Sequence, residues 1–414
     1  MRMLKGKAAE RAVAKLEHRS SPLDEVEPHV LRIVRAVKRD GDKALVCYAT
    51  MWDGLQEGQP IRVSDEEIAE AWHSTARETK DALRRAAANI RRFSQWQMPR
   101  EWRRKISGST LGQIVRPLDS VGCYVPGGRY PLPSTLLMTV IPAQVACVPR
   151  ICVVSPRPQP ATLAAARLLG VREVYRCGGA QAVAALAYGT ESIARVDKIV
   201  GPGNKFVAAA KKLVSLDCAI DMLAGPTEAV LYSERGNAAF LAWDMVAQAE
   251  HDPDAVVVFI TTDLELADQV RTALADAASN SPIARQAIRR NGTLLVASSQ
   301  DEAMEWVNRI APEHVTLDDE EGLARLRSAG SVFVGDWSPQ SAGDYAAGPN
   351  HVLPTAGAAR FRGGLGVHDF VKLITVQHFN PEGLRRIAPV IATLAEAEGL
   401  RAHAESVRVR CSHA

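Results

Sequence analysis

The chain has 414 residues, of which 47% are hydrophobic and 23% charged, which is ordinary globular material with length enough for more than one core. Its 50 basic and 47 acidic residues leave a formal charge of +3 and are spread along the chain, so no polybasic stripe argues for nucleic acid or a membrane surface. A small-molecule partner is the expectation that remains.

Residues 1–20 alternate Lys, Arg and Glu with Ala and Leu, without the continuous apolar core of a signal peptide. No later stretch reaches the ~18 apolar residues of a membrane span, and the expected compartment is the cytoplasm. The cysteines (Cys47, Cys123, Cys147, Cys152, Cys177, Cys218 and Cys411) are odd in number and contain no C-x-x-C pair. They read as reduced thiols, not as a disulfide framework or a cysteine zinc site.

From 23 to 99 the pattern is helical and amphipathic. A helix start is marked at Ser64-Asp65-Glu66-Glu67, where Ser64 and Glu67 have capping-box spacing. The basic run 32–39 reads as a solvated helix face. After Gly122 short β-branched runs alternate with Ala-rich helical segments: 150–154, 161–169, 171–176, 180–188, 198–200, 206–214 and 219–223. A second series follows at 229–232, 238–250, 255–261, 264–277, 293–297, 301–310, 315–317, 321–328 and 331–334. Such alternation predicts an α/β fold with two doubly wound, Rossmann-like parallel-sheet modules. The last strand is expected at 371–375, followed by helices to 410. The expected division is 1–122 plus 228–365 as a first α/β domain with a helical lead-in, 123–227 as an inserted second domain, and 366–414 as a helical tail against a partner subunit.

Ligands of open parallel sheets bind beyond the carboxyl ends of strands. Three glycine loops stand there: Gly178-Gly179-Ala180-Gln181, Gly201-Pro202-Gly203-Asn204 and Ala224-Gly225-Pro226-Thr227-Glu228. The first two run into helices whose N-termini favour phosphate, although ordinary turn glycines fit as well and the dinucleotide fingerprint is absent, Phe206 standing where a third glycine is needed. His18, His29, His73, His378 and His413 lie among charged or terminal residues and read as solvated.

Gln248 and His251 are three apart and share a helical face, as two donors to one metal require; a helix-terminal histidine complementing the dipole is the alternative. Glu313-His314 follows Pro312 and precedes a strand, a position suited to a general base. In extended chain the two point to opposite sides, so they either serve different steps or are splayed by the turn; an exposed Glu beside a structural His is the alternative. The polar stretch 341–351 holds Asp344 and His351 with few charges to neutralise them, poor core material and good site material. Glu398 and His403, five apart on a terminal helix, either meet one ligand from different angles or are simply solvated.

Together these segments resemble the histidinol dehydrogenase family. The likeness is carried by VGCYVPGG from Val121, GGAQA from Gly178, GPGN from Gly201, AGPTE from Ala224, QAEHDPD from Gln248, APEH from Ala311, SAGDYAAGPNHVLPT from Ser341 and EGLRAH from Glu398, and runs from about 122 to 410. The resemblance implies Gln248, His251, Asp344 and His403 as ligands of one zinc ion per subunit, with His403 reaching across a homodimer. It implies Thr227, His351 and Glu398 as substrate contacts, with the zinc ligands and His314 also bordering the substrate, and Tyr124, Gln181 and Asn204 as NAD contacts.

It further implies Glu313 and His314 as the catalytic pair of a four-electron oxidation of L-histidinol to L-histidine with two NAD and one water, the last step of histidine biosynthesis. Many members carry serine where this chain has Thr227. Related zinc dehydrogenases act on other small polar alcohols, such as a sulfonated diol, while a non-catalytic paralogue is expected to have lost a ligand or the Glu313-His314 pair.

Overall fold

A computed structural model describes residues 1–19, 23–127 and 130–412. Gly128 of the VGCYVPGG segment and the terminal His413 lie outside the described residues. Two parallel sheets dominate, as expected. One has six strands in the order 2–5, 293–296, 256–261, 228–232, 314–317 and 331–334. The other has five, in the order 173–175, 150–154, 120–124, 198–200 and 219–220.

Each of these sheets is covered on both faces, which is why the central strand Glu228–Tyr232 is buried at every position and, after Glu228, reads as a run of apolar residues without alternation. The edge strand Arg2–Lys5 escapes such a reading, because it is polar at both ends and half exposed, and only its pairing with 293–296 makes it a strand.

The sequence pattern also missed a third, antiparallel sheet. Trp102–Ile106 and Ser109–Pro117 form a hairpin, and Val371–Phe379, four residues longer than expected, pairs along the whole of the second strand. Between the hairpin strands Ser107 and Gly108 both have positive φ, 44° and 81°, the conformation that two-residue hairpin turns require. Trp102–Ile106 is exposed throughout, so no burial pattern announced it, and its two arginines and lysine guard an open edge.

The helical lead-in packs in two places. Residues 6–17 do cover the six-stranded sheet, with Ala9 and Val13 fully buried there. From Leu23 onward the apolar faces turn to the other sheet. Val30, Ile33, Val34 and Val37 pack with 182–187, while Ile68, Leu83 and Ile90 join the core of Leu136–Ile141 and Val153. The reason is complementarity of apolar stripes, since the lead-in helices lay their apolar faces on Pro133–Val145, Pro160–Leu168, Gly179–Tyr188 and Lys205–Val214, the helices that already cover the five-stranded sheet. The predicted capping box forms, with Glu67 N donating to Ser64 Oγ at 3.2 Å and Ser64 N donating to Glu67 Oε2 at 3.0 Å.

Helices Pro381–Ala397 and Arg401–Ser412 pack on each other, and the first also on the strand 371–379, leaving Val390, Leu394, Leu400 and Val409 exposed. Among the described residues no helix is long and apolar enough to cross a membrane.

Candidate active site

A cavity of about 580 Å³ opens where the two parallel sheets meet. The five-stranded sheet contributes the loops that follow its strands, 202–206 and 222–226, as open parallel sheets do. The six-stranded sheet contributes instead the amino ends of its strands. Thr227 precedes the strand 228–232, Glu313 precedes 314–317, and Gln248, His251 and Asp252 precede 256–261. Loops after strands were therefore only half of the places to search.

Glu313 is buried, and its Oε2 accepts hydrogen bonds from Thr227 Oγ1 at 2.6 Å and from Glu228 N at 2.9 Å. Gln248 Nε2 donates in turn to Thr227 Oγ1, so one hydroxyl links the carboxylate to the helix Ala238–Ala249. Burial pushes the Glu313 carboxyl up to about 7 against the opposing pull of His314 and the two donors. The neighbouring Glu228 adds to the rise, and its own charge is met by Arg19, whose Nε and Nη2 take one carboxylate oxygen each.

His314 does not point away from Glu313, contrary to the expectation from extended chain. Ala311 is left-handed at φ 48° and Pro312 follows it, so the chain turns just before the strand and both side chains face the cavity. His314 Nδ1 lies 3.8 Å from Glu313 Oε2 and 3.3 Å from the Glu228 carbonyl, and its Nε2 lies 3.5 Å from Asp344 Oδ1. The ring stacks on Phe333, with centroids 5.9 Å apart. Burial disfavours the imidazolium, yet the flanking carboxylates of Glu313 and Asp344 outweigh it and raise His314 to about 9.

Asp344 lies on the short helix Gln340–Tyr345, in a stretch that the sequence presents as loop. Burial works to raise its carboxyl, but the hydrogen bond and charge of His314 outweigh that and hold it below the usual carboxylate range. The carbonyl of Asp344 is 2.8 Å from His351 Nδ1, and His351 Nε2 is 3.1 Å from Thr135 Oγ1. Burial lowers the pKa of His351 and favours its neutral form. Thr135, buried on the helix Pro133–Val145, was not singled out from sequence; a threonine inside a strongly apolar helix is the signal it left.

Thr227, Gln248, His251, Asp344, His351, Glu313, His314 and Asn204 thus line one cavity. His251 stands just past the C-cap residue Glu250, beyond the helix on which spacing had placed it. Four expected residues are elsewhere. Tyr124 is buried and its hydroxyl accepts from Gly179 N at 3.0 Å. Gln181 is buried with its Nε2 on Asp53 Oδ2 at 2.9 Å, an oxygen that also accepts from Gly178 N at 2.8 Å. The N-terminus of the helix Gly179–Tyr188, expected to favour phosphate, is therefore met by a carboxylate of the protein's own lead-in. Glu398 and His403 are exposed on the terminal helices, outside the cavity lining.

Among the described residues no three His, Cys, Asp or Glu side chains group tightly enough to hold a metal ion by themselves. The donors that do face the cavity, an amide, an imidazole and a carboxylate from Gln248, His251 and Asp344, are of the kinds zinc accepts, and they leave one position of a four-ligand set to be filled. The residues present fit zinc if a further donor comes from outside this chain.

The match to known proteins agrees with this arrangement. The family model described as histidinol dehydrogenase matches residues 16–411. The chain belongs to the histidinol dehydrogenase family. It is 46% identical over 401 residues to the histidinol dehydrogenase of Methanothermobacter thermautotrophicus, covering 94% of each chain. It is 45% identical over 401 residues to that of Methanocaldococcus jannaschii, covering 94% of this chain and 93% of the relative. The crystal structure of histidinol dehydrogenase from Elizabethkingia anophelis superposes with a TM-score of 0.95 at 35% identity, covering 100% of this chain and 98% of that one. Membership makes this chain an oxidoreductase of histidine biosynthesis.

Proposed function

We propose that the chain oxidises L-histidinol to L-histidine through histidinal, with two NAD and one water, at a zinc ion held by Gln248, His251 and Asp344 and by His403 of a second copy. The observation that carries this reading is the convergence of Glu313 and His314 on the cavity that Gln248, His251, Asp344 and His351 also line, in a chain about 45% identical to histidinol dehydrogenases. Zinc bound there lowers the pKa of the alcohol and polarises the aldehyde oxygen.

The protein's own residues divide the proton work. His314 accepts the alcohol proton as hydride leaves for NAD. His314 must be neutral to accept that proton, and Asp344, turned toward a bound metal, would stabilise the imidazolium less and leave more of His314 in the neutral form. Glu313, held by Thr227 and Glu228 N and balanced near neutral pH by burial, activates the water that adds to the aldehyde. Their facing one cavity fits two successive oxidations without release of the aldehyde.

Asn204 is the direct NAD contact of the expected three, since it borders the cavity while its Oδ1 caps the helix Lys205–Val214. Tyr124 and Gln181 act behind it by fixing the glycine loop 178–181. The substrate's imidazole lies toward His351, and Glu398 joins it from the second copy. Both Glu398 and His403 stand off their own chain's cavity, on a tail whose apolar Val390, Leu394 and Leu400 are exposed, which supports a homodimer. We take the sheet of 120–220 as the core of an inserted domain and the cytoplasm as the compartment, the latter in keeping with seven free cysteines.

The decisive measurement is NADH formed per L-histidinol consumed by zinc-loaded protein with excess NAD. A ratio near two, lost on chelation and restored by zinc, is expected. Absence of NADH from histidinol despite bound zinc would overturn the reading in favour of another small polar alcohol.

A further inference from the structure

The helix Lys205–Val214 turns Val207, Ala208, Ala210 and Val214 into the core, and in the middle of that face stands Lys211. Its side chain is 3% exposed and that of its partner Asp221 is 0% exposed. Lys211 Nζ donates to Asp221 Oδ1 at 2.6 Å and to the carbonyl of Gly201 at 2.5 Å. Asp221 Oδ2 accepts from Gly201 N at 2.6 Å, and Oδ1 also accepts from Met222 N at 2.5 Å. The pair therefore grips both backbone groups of one glycine and the first amide of the next loop.

A buried ion pair is a poor source of stability, since removing two charges from water offsets most of their attraction, and apolar replacements are often neutral or better. What this pair does uniquely is join two loops. One is the turn 201–204, which leads into Asn204; the other is the stretch 222–227, which leads into Thr227 and so to Glu313. Both loops line the cavity. Gly201 permits the grip, because at φ 113° an added Cβ would lie 2.1 Å from the Tyr124 carbonyl oxygen.

We infer that Lys211 and Asp221 are positioning residues that set the dinucleotide side of the cavity, at Asn204, in register with the catalytic side, at Thr227 and Glu313. The inference rests on the reading of Asn204 as an NAD contact. Neither residue touches the cavity, so both act through the loops they tie.

The test compares the zinc-loaded parent with Lys211→Met and with Lys211→Met/Asp221→Asn. The double variant removes the uncompensated buried charge that the single variant leaves behind, while Asn keeps an acceptor for the Gly201 amide. NADH affinity is read by fluorescence titration, KM for NAD and kcat by steady state, and zinc content and Tm on the same samples. The expected result is an NADH Kd and a KM for NAD raised about tenfold or more in the double variant, as a misplaced contact costs, with zinc content and Tm kept near those of the parent. Parental NADH affinity in a folded double variant would overturn the inference.

Parental NADH affinity in Asn204→Ala would instead sink the reading of Asn204, so the two failures are distinct. Should both variants fail to fold, hydrogen exchange on the parent decides. The Gly201 and Met222 amides must exchange slowly and with one common protection; exchange as fast as that of the exposed turn at Gly58 refutes the clamp.

Discussion

Replacing Thr227 by valine removes a hydroxyl at nearly constant volume, and the structure says what that hydroxyl does. It donates to Glu313 Oε2 at 2.6 Å and accepts from Gln248 Nε2. A hydrogen bond to a charged acceptor contributes about 2 kcal/mol, and at 1.36 kcal/mol per pKa unit its loss moves the Glu313 carboxyl up by about 1.5, from a value already pushed to about 7 by burial. On the proposed reading Glu313 is a base in its ionised form, so the rate of histidinal oxidation is expected to climb with pH through this pKa, and a higher pKa to carry the rising limb to about pH 8.5. At pH 7 the ionised fraction falls from about one half to about one in thirty, while at pH 10 most activity returns.

The assay is kcat against pH with histidinal as substrate, at saturating NAD and with zinc content checked. Thr227→Ser keeps the hydroxyl, and its profile is expected to overlay the parent's. An acid limb that stays near pH 7 in Thr227→Val, with the aldehyde step otherwise intact, would refute the claim that this hydroxyl steadies the Glu313 carboxylate.

Glu313→Gln is expected to slow the aldehyde step by a factor of about 10² or more while leaving the alcohol step within about tenfold, with His314→Ala doing the reverse, as the loss of a positioned acid or base does; equal losses in both half-reactions, measured separately by stopped flow, speak against the division. His251→Asn and His403→Asn are each expected to lose zinc and activity, yet a mixture refolded together should recover about a quarter of the parental activity, because half of the dimers are mixed and each of those has one intact site. Lack of recovery despite mixed dimers would place His403 in its own chain's site or in none. Asp53→Ala leaves Gly178 N and Gln181 Nε2 without an acceptor. A loss of about 2 kcal/mol is expected, read from the urea midpoint, and an unchanged midpoint would mean that water or another group takes over.

The two parallel sheets were legible because their strands are buried on both faces and punctuated by helices, so β-branched runs and Ala-rich runs alternate without interruption. Gln248, His251, Asp344, His351, Glu313 and His314 were legible through motif resemblance, and most of these stand in segments whose polarity is out of place for a core. The short helix around Asp344 and the turn before His314 were not. The first is too brief to show periodicity, and the second depends on a left-handed alanine that no local preference predicts.

What the sequence determines by itself is local: which segments form strand or helix, where Ser64 caps, and which residue types cluster in glycine-rich and polar loops. What only the tertiary structure decides is pairing. Trp102–Ile106 is a strand because 109–117 lies beside it, Arg19 matters because Glu228 is buried 209 positions away, and the lead-in helices join the five-stranded sheet because their apolar faces fit the helices that cover it. Asp53, Lys211 and Asp221 carry charge into the interior, which is costly unless each finds its partners. Those partners come from distant parts of the chain, and spacing along a sequence has no means of announcing them.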